Sequence, residues 1–221
     1  MKLSAETISI LRNFSQIYPS IFISKGNRLR TISIEENIFA EAQVVETFDS
    51  EFAIYDLNKF VSALGLHDNP DLDFSDPYYA IISDGTRTSK YYFADPDVIK
   101  YPKGNMTFPS EDFSFILNTK DLEKIVKASN TYRIFDLVVS GDGQNVNLIV
   151  KDKNNPSSNE FSITVGHTDQ VFNFYFRMEN LKIIPGEYNV TISKSLNSRF
   201  SNTKIPLTYY ILLETDSTYE D

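Results

Sequence analysis

Apolar positions along this chain fall mostly in short runs that alternate with polar ones. Residues 22–24, 29–34, 39–45 and 52–55 alternate or cluster β-branched and aromatic side chains. So do 78–83, 90–94, 136–140, 146–151, 161–165, 171–176, 188–193 and 209–214. A period of two is the pattern of half-buried strands, so a β-dominated fold is predicted. Ser83-Asp84-Gly85 and Ser140-Gly141-Asp142-Gly143 supply the hairpin turns between them.

Four segments carry a helical period instead. Ser4 is the expected N-cap of the first, which places Ile8, Leu11, Ile17 and partly Phe14 on one face. Asp56 caps a second over 57–64, closed by Gly65. Asn118 or Thr119 caps a third over 120–128, and a short fourth spans 177–182, stopped by Pro185-Gly186. The order helix, strand cluster, aromatic strand, helix occurs at both ends of the chain. A slide of 114 residues places Ser4, Ile8, Leu11 and Ile21 on Asn118, Leu122, Ile125 and Phe135. A slide of 121 places Ile54, Tyr55, Leu57 and Phe60 on Tyr175, Phe176, Met178 and Leu181. The repeat is one of pattern rather than of residues, and it favours a duplicated fold over a single β-sandwich with decorating helices. The Pro-, Gly- and acid-bearing stretch 101–112 reads as an extended connector. The expected division is an N-terminal domain at 1–100, a connector at 101–114 and a C-terminal domain at 115–221.

Composition narrows the chemistry. With 221 residues, 41% hydrophobic and 14% aromatic, the chain can bury a core. No apolar run approaches the roughly 18 residues of a membrane helix, and the opening Met1 to Glu6 lacks the apolar core of a secretory signal. Zero cysteines exclude a disulfide framework, a thiolate zinc site and a cysteine nucleophile. The expectation is an intracellular protein with no membrane attachment. His67, followed by Asp68 and Asp71, and His167, followed by Asp169, lack metal-ligand spacing and read as loop histidines. Asp71/Asp73 and Asp95/Asp97 are read as turn formers rather than acid–base pairs. There is no Gly-x-Ser-x-Gly elbow and no phosphate-cradling glycine loop. Three Asn-x-Ser/Thr sequons, at Asn13, Asn105 and Asn189, carry no meaning without secretion. The expectation is a non-enzyme with no cofactor and no metal.

The charge is more informative. Net charge is −9, from 21 basic and 30 acidic residues, and a uniformly acidic surface repels nucleic acid. The four helical regions (2–15, 56–67, 118–133 and 177–187) nevertheless hold 9 basic and 6 acidic residues. They are therefore +3 on a remainder of −12, a mildly basic helix face on an acidic body.

The opening Met1-Lys2-Leu3-Ser4 with its helix ending Asn13-Phe14, and the block from Phe52 to Phe60 (Phe-Ala-Ile-Tyr-Asp-Leu-Asn-Lys-Phe), carry a family resemblance. Ala94-Asp95-Pro96, Phe172-Asn173-Phe174, Pro185-Gly186-Glu187-Tyr188 and the tail from Leu213 to Thr218 extend it in order over the whole chain. In these blocks the sequence resembles the sliding clamp of T-even-type bacteriophages, the DNA polymerase processivity factor. The resemblance implies an α+β DNA-clamp fold, with two similar domains that each have antiparallel sheets and two helices. Three chains would close head to tail into a ring, helices inside and sheets outside. The implied partners are encircled double-stranded DNA, a DNA polymerase, an ATP-driven clamp loader and late-transcription factors of the RNA polymerase, in the cytoplasm of the infected bacterial host. The implied DNA-facing residues are Lys2, Arg12, Lys120, Lys124, Lys127 and Arg133, with Lys59 and Lys182 beside them. Met106, Phe108, Pro109 and Leu212 would border a pocket for partner peptides. The rival readings are a β-rich oligomeric viral structural protein, which needs no basic face, and a hydrolase built on Asp71 and Asp73.

Overall fold

Ser4 starts the first helix because its hydroxyl accepts from the Thr7 amide at 3.1 Å, satisfying one of the donors a helix start leaves open. Helix α1 (Ala5–Ile17) buries Ile10, Leu11, Phe14 and Ile17. The computed structural model describes residues 1–220, and the chain divides into two units, Met1–Asn105 and Met106–Asp221.

In the first unit α1 is followed by β1 (Ile21–Ile23), β2 (Gly26–Ile32), β3 (Ile38–Phe48) and β4 (Phe52–Ile54). Then come α2 (Leu57–Leu64), β5 (Asp71–Asp73), β6 (Tyr79–Ser83) and β7 (Thr88–Tyr92). Strand β1 pairs with β4, β2 pairs antiparallel with β3, and β5-β6-β7 form a meander. Asp56 caps α2 by accepting from the Lys59 amide at 2.9 Å, and Gly65 closes it. Helix α1 packs on α2, where Leu57, Phe60 and Leu64 are buried, and on the β2–β3 pair, where Leu29, Ala40 and Ala42 are buried. Each of these buried leucines, isoleucines and phenylalanines contributes about 1.5–3 kcal/mol by leaving water.

The second unit runs β8 (Phe113–Leu117), α3 (Thr119–Tyr132), β9 (Asp136–Asp142), β10 (Asn145–Val150), β11 (Phe161–His167) and β12 (Val171–Arg177). It continues with β13 (Tyr188–Ser193), β14 (Asn197–Asn202), β15 (Leu207–Leu212) and β16 (Thr218–Tyr219). Strands β8, β13, β14 and β15 are consecutive neighbours, and a second sheet has the order β11-β10-β9-β12-β16. Helix α3 packs on β10 and β11 of that second sheet. At Gly141 an added Cβ would stand 2.6 Å from the Phe172 ring, so the aromatic layer of β12 demands glycine there. Between the sheets lie Tyr188 and Tyr209, and burial pushes the Tyr188 phenol up to about 12. Its hydroxyl donates to the Ile184 carbonyl at 2.5 Å, while the Tyr209 oxygen accepts from the Ile184 amide at 3.2 Å.

The fourth expected helix is a single 3-10 turn, Met178–Asn180, so the two units differ in helix content. Strand β12 runs through Arg177, no side chain caps the turn, and Leu181 leaves helical geometry at ψ 51. That leaves too few residues to nucleate a helix. Strands β5, β8 and β14 escape the alternation pattern. In β14 the two buried positions are Ser198 and Phe200, and the rest is Asn, Ser and Arg, which hides the strand from an apolar rule.

Candidate nucleic-acid interface

Helix α3 begins where the Asn118 side chain accepts from the Asp121 amide at 2.9 Å. It ends at Arg133, whose φ of 56 puts it in the left-handed region usual for a C-terminal cap. Leu122, Ile125, Ala128 and Ser129 face the sheet. Lys120, Lys124 and Lys127 are exposed and spaced four and three apart, so they project within an arc of about 60° on the opposite side. Among the described residues no carboxylate lies within ion-pair distance of these lysines, of Arg133 or of Arg12. Asp121 and Glu123 flank the row on the same helix without neutralising it.

The other expected cations are placed less favourably. The exposed residues of α1 are Ala5, Glu6, Ser9, Arg12 and Gln16, so Arg12 is its one exposed cation and Glu6 stands at the same helix's start as an anion. Lys2 stands 4.0 Å from the Asp71 carboxylate, and Lys59 stands 3.1 Å from Asp56, the cap of its own helix. The Lys59 amide, then its ammonium, hold the half-exposed Asp56 carboxyl below the ordinary carboxylate range. Lys182 is half-buried beyond the 3-10 turn. The structure therefore gathers Lys120, Lys124, Lys127 and Arg133 on one helix and leaves Arg12 single.

Of the expected pocket residues, Phe108 lies on Tyr210 at 6.3 Å between ring centroids, with the Arg199 guanidinium 4.9 Å above its ring. Met106, Pro109 and Leu212 are exposed. The first unit holds a groove that sequence reasoning does not anticipate. It measures about 710 Å³ and is lined by Tyr18, Ile32, Ile34, Val98, Ile99 and Tyr101, with Lys100 at its side. Ile34 is 69% exposed and Val98 62%, large apolar side chains left uncovered in one place. An isoleucine before Glu35-Glu36-Asn37 and a Val-Ile pair after Asp95-Pro96-Asp97 were the available signals.

Among the described residues no cluster of metal-ligating side chains surrounds either histidine. His67 lies in the loop after α2, as expected, and is buried there. Its Nε2 lies 2.8 Å from the Ser89 hydroxyl, and its buried Nδ1 stands 3.8 Å from Asp84. Asp84 accepts from the amides of Asp68, Thr86 and Arg87, and these bonds, the Asp68 amide foremost, hold its carboxyl far below the ordinary range. The ring thus ties the end of α2 to β7. Asp73 accepts from the Ser75 amide and Asp95 from the Asp97 amide, as turn-forming carboxylates do. Among the described residues no helix is long and apolar enough to cross a membrane.

Both halves of the chain match known protein families. The family described as DNA polymerase processivity factor matches residues 4–99, and the one described as gp45 sliding clamp, C terminal, matches residues 114–215. A sliding clamp of Vibrio phage KVP40 is 33% identical over 97% of this chain and 99% of its own length. That of Enterobacteria phage T4 is 28% identical over 100% of both chains. Among solved structures, PCNA of A. fulgidus, bound to the C-terminal region of FEN-1, aligns with a TM-score of 0.72 at 12% identity, covering 96% of each chain, a likeness of fold. A two-unit clamp fold and full-length similarity to phage clamps together place this chain in the bacteriophage sliding-clamp family, as a processivity factor of DNA polymerase.

Proposed function

We propose that three copies of the chain join head to tail into a ring around duplex DNA, without base-specific contacts and without catalysis of their own. The observation that carries this reading is the row Lys120, Lys124, Lys127 on a chain of net charge −9. Cations concentrated on one helix suit phosphates, and an acidic remainder discourages DNA elsewhere. Arg12, Arg133, Lys2, Lys59 and Lys182 are weaker contributors, in an order set by their distance from competing carboxylates.

The head-to-tail joint is assigned to the sheet edges β7 and β11, one in each unit, where Tyr92 is 66% exposed and Phe161, Ile163 and Val165 are half-exposed beside an open ladder. An edge of this kind is a template for another strand. In this reading the polymerase docks an apolar peptide beside the connector, 101–114, with Met106, Phe108, Pro109 and Leu212 as the candidates, and the Ile34–Val98 groove of the first unit is a separate apolar surface. Tethering then keeps the enzyme at high effective concentration over the primer end. An ATP-driven loader opens the ring, and late-transcription factors use the same attachment, all within the cytoplasm of the infected host. Light scattering over a concentration series tests the assembly: the expected species has three times the 25.3 kDa chain mass and falls apart on dilution. A monomer at every concentration would remove the topological mechanism.

A further inference from the structure

The turn that joins α3 to β9 buries one apolar side chain and leaves two aromatic ones outside. Ile134 is 8% exposed; its amide donates to the Ser129 carbonyl at 3.1 Å, and its carbonyl accepts from the Ser129 hydroxyl at 2.5 Å. Arg133 reverses the chain there in its left-handed conformation. On either side stand Tyr132, the last residue of the helix, and Phe135, just before the strand, 42% and 59% exposed. Among the described residues no other aromatic ring stacks on either of them. The Phe135 carbonyl accepts from the Met178 amide at 2.8 Å, so the backbone is fixed and the ring is left over.

Two large aromatic surfaces left in water three residues apart ask for a partner that would cover them. The charges around them say which. Lys127 precedes Tyr132 by five residues, about 7.5 Å of helix, and Arg133 lies between the two aromatics in the chain. Both cations are exposed, and among the described residues neither is paired with a carboxylate. The acids next along the chain are engaged: Asp136 is buried and accepts from the Lys153 amide at 3.3 Å. Glu179, on the 3-10 turn, stands 4.0 Å from Arg177. Flat rings beside unpaired cations match a nucleotide chain, each base on a ring and each phosphate on a cation. A duplex cannot use such rings, because its base faces are already covered by their neighbours. We infer that the C-terminal end of α3 binds unpaired nucleotides of single-stranded DNA, with bases stacked on Tyr132 and Phe135 and the adjoining phosphates on Arg133 and Lys127. This rests on the reading that the α3 row meets phosphates, and it adds a ligand, the single strand, that lysines alone do not distinguish from duplex.

The chain has no tryptophan, so Phe135→Trp places a single fluorescent reporter in the site and keeps an aromatic face. A short oligothymidylate is expected to quench it, and a blunt duplex at the same nucleotide concentration is not. In anisotropy titrations of labelled oligothymidylate, Tyr132→Ala combined with Phe135→Ala should weaken binding about tenfold or more. Tyr132→Phe, which keeps the ring, should bind like wild type, and duplex affinity should be unchanged in both. Equal quenching by the two DNAs, or single-strand affinity unmoved by the double variant, overturns the proposal. Should the double variant fail to fold, the tryptophan titration decides alone. Duplex affinity is read in the same series and depends on the lysine row rather than on the two rings, so failure here leaves the duplex reading intact. Reversal of Lys124 and Lys127 to Glu without loss of duplex affinity would sink that reading separately.

Discussion

Glu46 sits on a buried position of β3, 8% exposed, where its carboxylate accepts from the Ser4 amide and the Thr7 hydroxyl at the start of α1. A negative charge there also meets the positive end of the helix. Burial works to raise its pKa, but the bonds from Thr7 and Ser4 outweigh it and the carboxyl lies below its ordinary 4.5. Because the folded pKa is the lower one, the ionised group stabilises the fold above the unfolded value and that stability drains away as pH falls through the folded value. Glu46→Gln should cost about 1–3 kcal/mol at neutral pH. The loss should shrink toward zero in acid, as urea midpoints across a pH series would record. A variant no less stable than wild type at neutral pH would refute this account. Nothing local in the sequence marks Glu46, since its partners lie 42 and 39 positions away. The burial of His67 is hidden for the same reason: Ser89 and Asp84 reach it from a hairpin further along the chain.

Elements were legible where their determinants are local. The three helices announce themselves through Ser4, Asp56 and Asn118, and each of these caps forms. The segment after Arg177 had the apolar spacing but no cap, and it shrank to one turn. Function follows the same division, because the lysine row needs only the helical period to be seen, whereas the Ile34–Val98 groove needs a β2–β3 turn and a distant loop brought together. The row carries a direct expectation. Reversing Lys124 and Lys127 to Glu should weaken DNA binding and polymerase processivity together. It should also lower the slope of log affinity against log salt by about 0.9 for each phosphate no longer neutralised. Both side chains are exposed, so stability should change by no more than about 0.5 kcal/mol for each. Unchanged processivity on primed circular DNA would take the row out of the mechanism.

At the scale of the whole molecule, family membership was readable because many weak blocks keep their order from Met1 to Thr218, although none is decisive alone. Contacts between copies were not readable, because they depend on which edges stay unpaired after each unit has folded. Encirclement has its own signature: the protein loaded on a closed DNA circle should stay bound through a high-salt wash and leave within moments of a single double-strand cut. Retention on the cut DNA would mean that it grips rather than surrounds. The composition of the α3 row also bears on how easily such a ring moves. Its three cations are all lysines, compact point charges on flexible stems rather than rigid two-pronged forks. With no carboxylate among the described residues to release, they can pass from one phosphate to the next through nearly equivalent positions, so the track offers little friction. Arginine at 124 and 127 would keep the charge but catch phosphates in pairs, and single-molecule tracking should then find the same residence on DNA with slower travel along it.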